Sequence, residues 1–281
     1  KKKLREAAGF GNSRFAISGA APINPDILKL FQELGIPLFE GYGMTENTAG
    51  ITINFHGHNK IGSVGKCMPF FDIKIANDGE VLIKGDNVMK GYYKNPEATR
   101  ETIVDGWLHT GDVGEIDSEG YLSITGRKKE IYVSSSGKNV APLVIEETIK
   151  SIPIISQCFL VGDGRKYCSA LVTLDMGVIL RDEIGIEATE IPKDPVDQNQ
   201  MIADNGKSLS DFTGSKEMHA ELSKEVDRLN QNFSNPEQIK KFSILPRDFS
   251  IDEGELTPTL KIRRKQINDN WADTIDKMYS E

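Results

Sequence analysis

Lys261 ends the turn-rich run Gly254-Glu255-Leu256-Thr257-Pro258-Thr259-Leu260-Lys261. A cation on such a loop can stabilise negative charge as it develops in a transition state. Three earlier runs carry complementary side chains. In Gly41-Tyr42-Gly43-Met44-Thr45-Glu46, directly after an expected strand, glycines let the backbone pass close to a ligand. Tyr42 can lie flat on a base, the Thr45 hydroxyl can bond a phosphate oxygen, and Glu46 can hold Mg²⁺ beside it. In His109-Thr110-Gly111-Asp112, an aspartate at a strand end can accept from both hydroxyls of a ribose. Arg127, within Gly126-Arg127-Lys128-Lys129-Glu130, offers a planar fork of donors for ribose or phosphate oxygens. Each run also has a plainer reading: an ordinary strand-to-loop turn, a turn aspartate satisfying its own backbone, a solvated charge run. Ser134-Ser135-Ser136-Gly137-Lys138-Asn139 is either a linker or a backbone-rich loop in which Gly137 admits a thin chain.

These side chains need elements to position them. Residues 13–48 alternate strand and helix. Residues 14–18 are a strand candidate, Asn24 caps a helix with Pro25 at its first position and Gly35 after its end, and residues 36–39 form a second strand. That is the grammar of a parallel α/β sheet. Residues 61–125 hold short β runs (71–76, 80–84, 121–124) between Asn-Asp-Gly, Asp-Gly and Ser-Glu-Gly turns, which predicts a small β-barrel-like subdomain. A domain boundary falls where the composition turns basic and then serine-rich, with residues 1–125 before it, 126–130 as the joint and 131–281 as a smaller α/β unit. In that unit a helix runs from Pro142 towards Pro153, and residues 158–161 and 168–175 form a hairpin across Gly162-Asp163-Gly164. Residues 181–214 are polar and without periodicity, a variable insertion. Met218, Leu222, Val226, Leu229 and Phe233 mark one face of a helix over 216–233. A last strand covers 242–245. Trp107 reads as a packing residue.

The chain has 281 residues, 38% hydrophobic and 27% charged, with net charge −8. That is a soluble globular composition of about two domains, and its acidity argues against nucleic acid as a main partner. Cys67, Cys158 and Cys168 show no metal-ligand spacing and read as reduced thiols of a cytosolic protein. His56 and His58 lack acidic or cysteine partners. No apolar run approaches the roughly 18 residues of a membrane span. There is neither a Gly-x-Ser-x-Gly motif nor a Walker-type phosphate loop. The opening Lys1-Lys2-Lys3-Leu4-Arg5 reads as the end of a helix within a longer protein rather than as a membrane-attracting tract.

Taken in order, the runs resemble the adenylate-forming superfamily from about Ser18 to the end, residues 181–214 excepted. Tyr42 to Glu46 is similar to the family's adenine, phosphate and Mg²⁺ motif. Gly79-Glu80-Val81-Leu82-Ile83-Lys84-Gly85 with Gly91-Tyr92-Tyr93-Lys94-Asn95-Pro96-Glu97-Ala98-Thr99 resembles its structural core motif. Thr110-Gly111-Asp112 resembles the ribose motif, Gly126 to Glu130 the hinge, and Thr257 to Lys261 the catalytic-lysine motif in its long-chain acyl-CoA synthetase version. Gly137 to Pro142, Pro153 to Gln157 and Arg247-Asp248-Phe249-Ser250 resemble the bubblegum-type very-long-chain enzymes.

The resemblance implies the C-terminal portion of that fold. It would comprise part of the large AMP-binding domain with its barrel-like subdomain, and a small mobile lid domain. It implies an AMP-forming fatty acid–CoA ligase using ATP, Mg²⁺ and coenzyme A. Tyr42 would take adenine, Thr45 the phosphate, Glu46 the Mg²⁺, Asp112 and Arg127 the ribose, and Lys261 the reacting carboxylate. Gly19, Ala20 and Ala21 would line the adenine side, and Gly137 the pantetheine passage. Lys129 stands where many relatives carry Asp at the pivot. The family's Ser/Thr/Gly-rich phosphate loop and most of its fatty-acid tunnel are expected upstream of this chain, so that alone it would be inactive. The protein is expected in the cytoplasm, with any membrane contact peripheral and through its preceding part. A fatty acyl-AMP ligase serving a carrier protein and a non-catalytic interaction module are the rival readings.

Overall fold

A computed structural model describes residues 1–134 and 137–280. The chain divides into two compact units, Lys1–Glu130 and Ile131–Glu281.

The first unit opens with α1 (Lys2–Ala7), β1 (Ala16–Ser18), α2 (Pro25–Glu33) and β2 (Leu38–Tyr42). Asn24 caps α2 as its sequence predicts, its Oδ1 accepting the Asp26 N–H at 2.8 Å. β1 and β2 pair in parallel with Ala16 opposite Leu38. β3 (Thr52–Ile53) and β4 (Lys66–Cys67) then extend the sheet antiparallel, so only one pair of it is parallel. β2 runs through Gly41 and Tyr42, two residues the sequence placed in the following loop.

The second sheet contains β5 (Asp72–Ile75), β6 (Glu80–Lys84), β7 (Ile103–Val104), β8 (Trp107–Ile116) and β9 (Leu122–Arg127), with α3 (Pro96–Thr102) between β6 and β7. β8 pairs with β6 on one edge; β7 and β9 share its other edge at opposite ends. The result is an antiparallel sheet whose β9 end is tied to the first sheet by Val64 N–H to the Leu122 carbonyl and Leu122 N–H to the Gly65 carbonyl, with no closed barrel among the described residues. The ten residues of β8 serve three partners. Ile51, Val81, Ile83, Leu108 and Leu122 form the core, with Tyr42 and Met44 packed against it.

The second unit begins with the hairpin of β10 (Tyr132–Val133) and β11 (Asn139–Val140), followed by α4 (Pro142–Ile149). β12 (Ile155–Val161) and β13 (Cys168–Leu174) form the expected antiparallel pair, and β14 (Ile239–Ile244) lies parallel to β13. Every residue of β13 is buried, as a central strand covered on both faces requires. Side chains alternate between two cores. Cys158, Leu160, Ala170 and Val172 join α4 and α8 (Lys216–Asn230) on one face. Phe159, Val161 and Leu171 meet α9 (Arg264–Asn270) and α10 (Ala272–Tyr279) on the other. The stripe read on α8 faces the first core, where Met218, Leu222, Val226 and Leu229 are buried.

Residues 181–214, read from the sequence as a polar, aperiodic variable insertion, are helical in large part. A short helix, α5 (Met176–Val178), continues into a π-helical turn (Ile179–Ile184), and α6 (Pro195–Asp204) and α7 (Leu209–Thr213) follow. Ile202 and Phe212 are buried in the same core as α8. Ile184, Ile186, Ile191, Met201 and Leu209 pack against it partly buried, at spacings that no single periodicity reveals. Among the described residues no helix is long and apolar enough to cross a membrane, the three cysteines are free, and no group of three or more His, Cys, Asp or Glu could hold a metal ion.

Candidate active site

In the first unit, Tyr42, Asp112 and Arg127 come together from three strands. The Tyr42 hydroxyl donates to Asp112 Oδ2 at 2.6 Å, and Arg127 Nε lies 3.1 Å from Asp112 Oδ1. β8 and β9 set Asp112 opposite Arg127 in register. Burial, followed by the Asp112 carboxylate, pushes the Tyr42 phenol far above its ordinary value, so it stays a donor. Asp112 is 5% exposed, whereas Arg127 is exposed. A carboxylate has about four lone-pair sites, so Asp112 keeps acceptor capacity for a sugar diol beyond these two bonds.

Asp112 lies inside β8 rather than at a strand end, next to the irregularity between Val113 and Gly114. Thr110 is structural: its hydroxyl donates to the Val81 carbonyl at 2.7 Å and accepts the Asp112 N–H at 3.0 Å. Glu80 does more. Its buried carboxylate accepts the Gly111 N–H at 2.9 Å and the Lys128 ammonium at 2.9 Å, and lies 3.1 Å from His109 Nδ1. The Lys128 N–H in turn donates to the Gly111 carbonyl at 2.8 Å. Burial works against ionisation of Glu80, but Lys128, His109 and Gly111 hold its carboxyl below the usual range. Lys128 is thus a tie to Asp78 and Glu80, not part of a solvated charge run. Sequence reasoning missed Glu80; the available signal was an acid at the start of an otherwise apolar strand.

Thr45 and Glu46 follow on a 3₁₀ turn, Thr45–Asn47. Fully buried Asn47 closes it, its Oδ1 accepting the Met44 N–H at 2.9 Å. Gly43 is obligatory: a Cβ there would stand 1.3 Å from the Ala49 carbonyl oxygen. Thr45 is exposed, and no hydrogen bond to its hydroxyl is found among the described residues. One Glu46 oxygen accepts the Tyr92 hydroxyl at 2.9 Å, leaving the other open. Burial and Glu46 push the Tyr92 phenol up. A hydroxyl and a carboxylate with an open oxygen suit Mg²⁺, which usually takes one or two carboxylates plus substrate phosphates and water. Gly19 passes beside Gly41, whose carbonyl would be 3.3 Å from a Cβ at Gly19, and Ala20 adopts φ +70°. Nearby Glu40 is buried, which raises its carboxyl against the opposing Ile23 N–H.

In the second unit, Lys261 sits on a narrow loop. Leu256 bridges Ile262 antiparallel, Thr257 N–H donates to the Lys261 carbonyl at 2.8 Å, and Lys261 N–H returns to Thr257 Oγ1 at 3.0 Å. The Lys261 side chain is exposed and has no ion pair among the described residues. Glu255, fully buried, anchors the loop. It accepts from Arg247 at 2.6 and 3.0 Å, from Ser250 N–H at 3.1 Å, from Trp271 Nε1 at 2.8 Å and from Asn270 at 3.1 Å. Burial opposes its ionisation, yet Arg247 and these donors lower its carboxyl. Asp248 accepts from Ser156 and Thr173 hydroxyls. Arg247 and Asp248 therefore brace the unit rather than face a ligand.

Gly137 has φ +80°, and among the described residues beyond its chain neighbours no atom lies within 4 Å of a Cβ built there. It lies in the turn of the β10–β11 hairpin, where Gly137 N–H donates to the Ser134 carbonyl at 2.8 Å. Lys138 is tied to Ser234 at 2.6 Å and Glu237 at 3.2 Å. Ser134, Gly137 and Lys138 are thus fastened within the second unit; Ser135 and Ser136 lie outside the described residues.

The AMP-binding enzyme profile matches residues 1–93, and the AMP-binding enzyme C-terminal domain profile matches residues 129–189. The chain belongs to the AMP-binding enzymes. The long-chain-fatty-acid–CoA ligase FadD15 of Mycobacterium bovis is 41% identical over 280 residues, covering 100% of this chain and 44% of that protein. The long-chain-fatty-acid–CoA ligase ACSBG1 of Rattus norvegicus is 35% identical over 289 residues, covering 99% and 40%. The chain thus spans less than half the length of these two curated relatives. Among solved structures, the anthranilate CoA ligase AuaEII in complex with anthranoyl-AMP superposes with TM-score 0.68 at 20% identity, covering 93% of this chain and 45% of that one. O-succinylbenzoate coenzyme A synthetase (MenE) from Bacillus subtilis, in complex with ATP and magnesium ion, gives 0.62 at 24%, covering 91% and 46%. At such identities these two structures speak for the fold of an AMP-binding enzyme alone.

Proposed function

We propose that the protein to which this chain contributes is an AMP-forming long-chain fatty acid–CoA ligase. The observation that carries this reading is the Tyr42–Asp112–Arg127 assembly, a buried carboxylate held ready for a nucleoside. The fatty-acid carboxylate attacks the α-phosphorus of ATP, and pyrophosphate leaves. The CoA thiol then attacks the carbonyl of the acyl-AMP, and AMP leaves. Asp112 accepts from the ribose hydroxyls with Arg127 beside it, and Tyr42 offers its ring to adenine between Gly41 and the Gly19–Ala21 segment. The Thr45 hydroxyl bonds a phosphate oxygen. A Mg²⁺ held by Glu46 would neutralise phosphate charge. Lys261 supplies its ammonium to the reacting carboxylate, and the open space at Gly137 admits the pantetheine arm.

The test uses the whole protein containing this chain. Fatty-acid-dependent exchange of pyrophosphate into ATP and formation of acyl-CoA are expected. Asp112→Ala should reduce both by about 10²-fold, the scale for a preorganised polar contact. Absence of fatty-acid-dependent exchange would overturn the reading. Exchange with acyl transfer to a carrier protein but not to CoA would reassign the protein as an acyl-AMP ligase.

A further inference from the structure

Tyr92 has no role in the chemistry above, yet its hydroxyl donates to Glu46 Oε1 at 2.9 Å across 46 residues of sequence. The surrounding backbone makes the same connection. Met89 N–H donates to the Glu46 carbonyl at 2.7 Å, Asn87 Nδ2 to the Asn47 carbonyl at 2.7 Å, and Thr48 Oγ1 to the Asn87 carbonyl at 2.8 Å. Residues 87–92 thus strap the turn that carries Thr45 and Glu46.

The residues after Tyr92 aim it. Its N–H donates to Thr99 Oγ1 at 2.9 Å, and that hydroxyl donates to the Asn95 carbonyl at 2.9 Å. Asn95 caps α3, accepting the Ala98 N–H at 3.1 Å, with Pro96 in the first turn. Gly91 leaves room for this grip, since a Cβ there would stand 2.7 Å from Thr99 Cγ2. Gly91, Tyr92, Asn95, Pro96 and Thr99 therefore form one device, and its product is a phenol on one oxygen of Glu46. A donor on one carboxylate oxygen fixes the rotamer and leaves the other oxygen for a cation.

We propose that Tyr92 is a positioning residue for Glu46, and that residues 91–99 serve to hold its hydroxyl there. This rests on the reading of Glu46 as the Mg²⁺ carboxylate. It goes beyond that reading by assigning a task to a run that sequence resemblance gives only as structural.

The test is Mn²⁺ binding to the whole protein, followed by electron paramagnetic resonance with a non-hydrolysable ATP analogue. Loss of such an outer partner typically costs about 10- to 100-fold in metal affinity, so Tyr92→Phe should weaken Mn²⁺ binding about 10-fold. AMP affinity without metal should stay the same. In a Glu46→Gln background, Tyr92→Phe should have no further effect, because the two changes act through one contact. Thr99→Val should shift Mn²⁺ binding in the same direction and Thr99→Ser should restore it. Unchanged Mn²⁺ affinity in a Tyr92→Phe protein that melts like the parent would overturn the proposal. So would an equal loss in the Glu46→Gln background, or no nucleotide-dependent Mn²⁺ binding by the parent. If Tyr92 governs Mn²⁺ binding but no fatty acid drives pyrophosphate exchange, the ligase reading fails and this inference stands.

Discussion

Glu255 shows how one buried acid can hold a functional loop. Five hydrogen bonds from four residues converge on its carboxylate, and its own carbonyl accepts the Arg263 N–H at 2.8 Å, just beyond Lys261. Removing one partner of a buried pair costs roughly 3–5 kcal/mol. Arg247 is partly solvated, so Glu255→Ala should destabilise the second unit by about 3 kcal/mol, read by urea denaturation. The pH dependence follows from the same contacts. The folded Glu255 carboxyl lies below its ordinary value of 4.5, as does that of Glu80 in the first unit. A depressed acid contributes stability that is fully present above its unfolded value and is lost as pH falls through the folded one. Melting temperature should therefore hold above about pH 5 and drop on acidification below it, and Glu255→Gln should flatten that drop for the second unit. A parent protein whose melting temperature is level from pH 7 to 3 would contradict this. Neither acid was legible as a support. Glu255 lies inside the quoted Lys261 motif and Glu80 inside the quoted core motif, but apart from Ser250 their partners are 8 to 48 residues away, a distance no spacing rule covers.

Elements whose pattern is local were legible. The α2 cap, the hairpin of β12 and β13, and the stripe of α8 each follow from neighbouring residues and stand where their spacing predicts. Elements defined by long-range pairing were not. The sheet around β8 is set by which strands share its edges, and the apolar residues that dock 181–214 on the core, Ile202 and Phe212 most deeply, are scattered irregularly through a polar stretch. This segment carries a specific expectation. An appended loop would tolerate truncation of its apolar residues, whereas a segment docked into the core would not. Ile202 is 0% exposed and Phe212 6%. Ile202→Ala should cost about 2–5 kcal/mol and Phe212→Ala about 3–5 kcal/mol, comparable to Leu222→Ala on α8. Chemical denaturation of the three variants decides it. Changes within about 0.5 kcal/mol for both segment variants would show that the segment adds little to the core.

At the scale of the molecule, the candidate groups are divided between the two units. Tyr42, Thr45, Glu46, Asp112 and Arg127 belong to Lys1–Glu130, and Gly137 and Lys261 to Ile131–Glu281. Resemblance assigns the two latter residues to successive half-reactions, adenylation for Lys261 and thioester formation for Gly137. Among the described residues, Lys261 is exposed and without an ion pair on an anchored loop, and nothing beyond its chain neighbours lies near a Cβ built at Gly137. The decisive measurement separates the half-reactions in the whole protein. Lys261→Ala should slow acyl-AMP formation from ATP by about 10²–10³-fold while leaving CoA acylation from pre-made acyl-AMP nearly unchanged. Gly137→Leu should show the reverse, since its side chain would obstruct the pantetheine arm. The φ of +80° strains any side chain at Gly137, so Gly137→Ala is the control: it carries the same backbone strain without the bulk. A loss confined to thioester formation that is deeper for Leu than for Ala reports obstruction, and an equal loss for both reports strain alone. If Lys261→Ala and Gly137→Leu depress both half-reactions equally, the assignment of the two residues to different half-reactions is wrong for this protein.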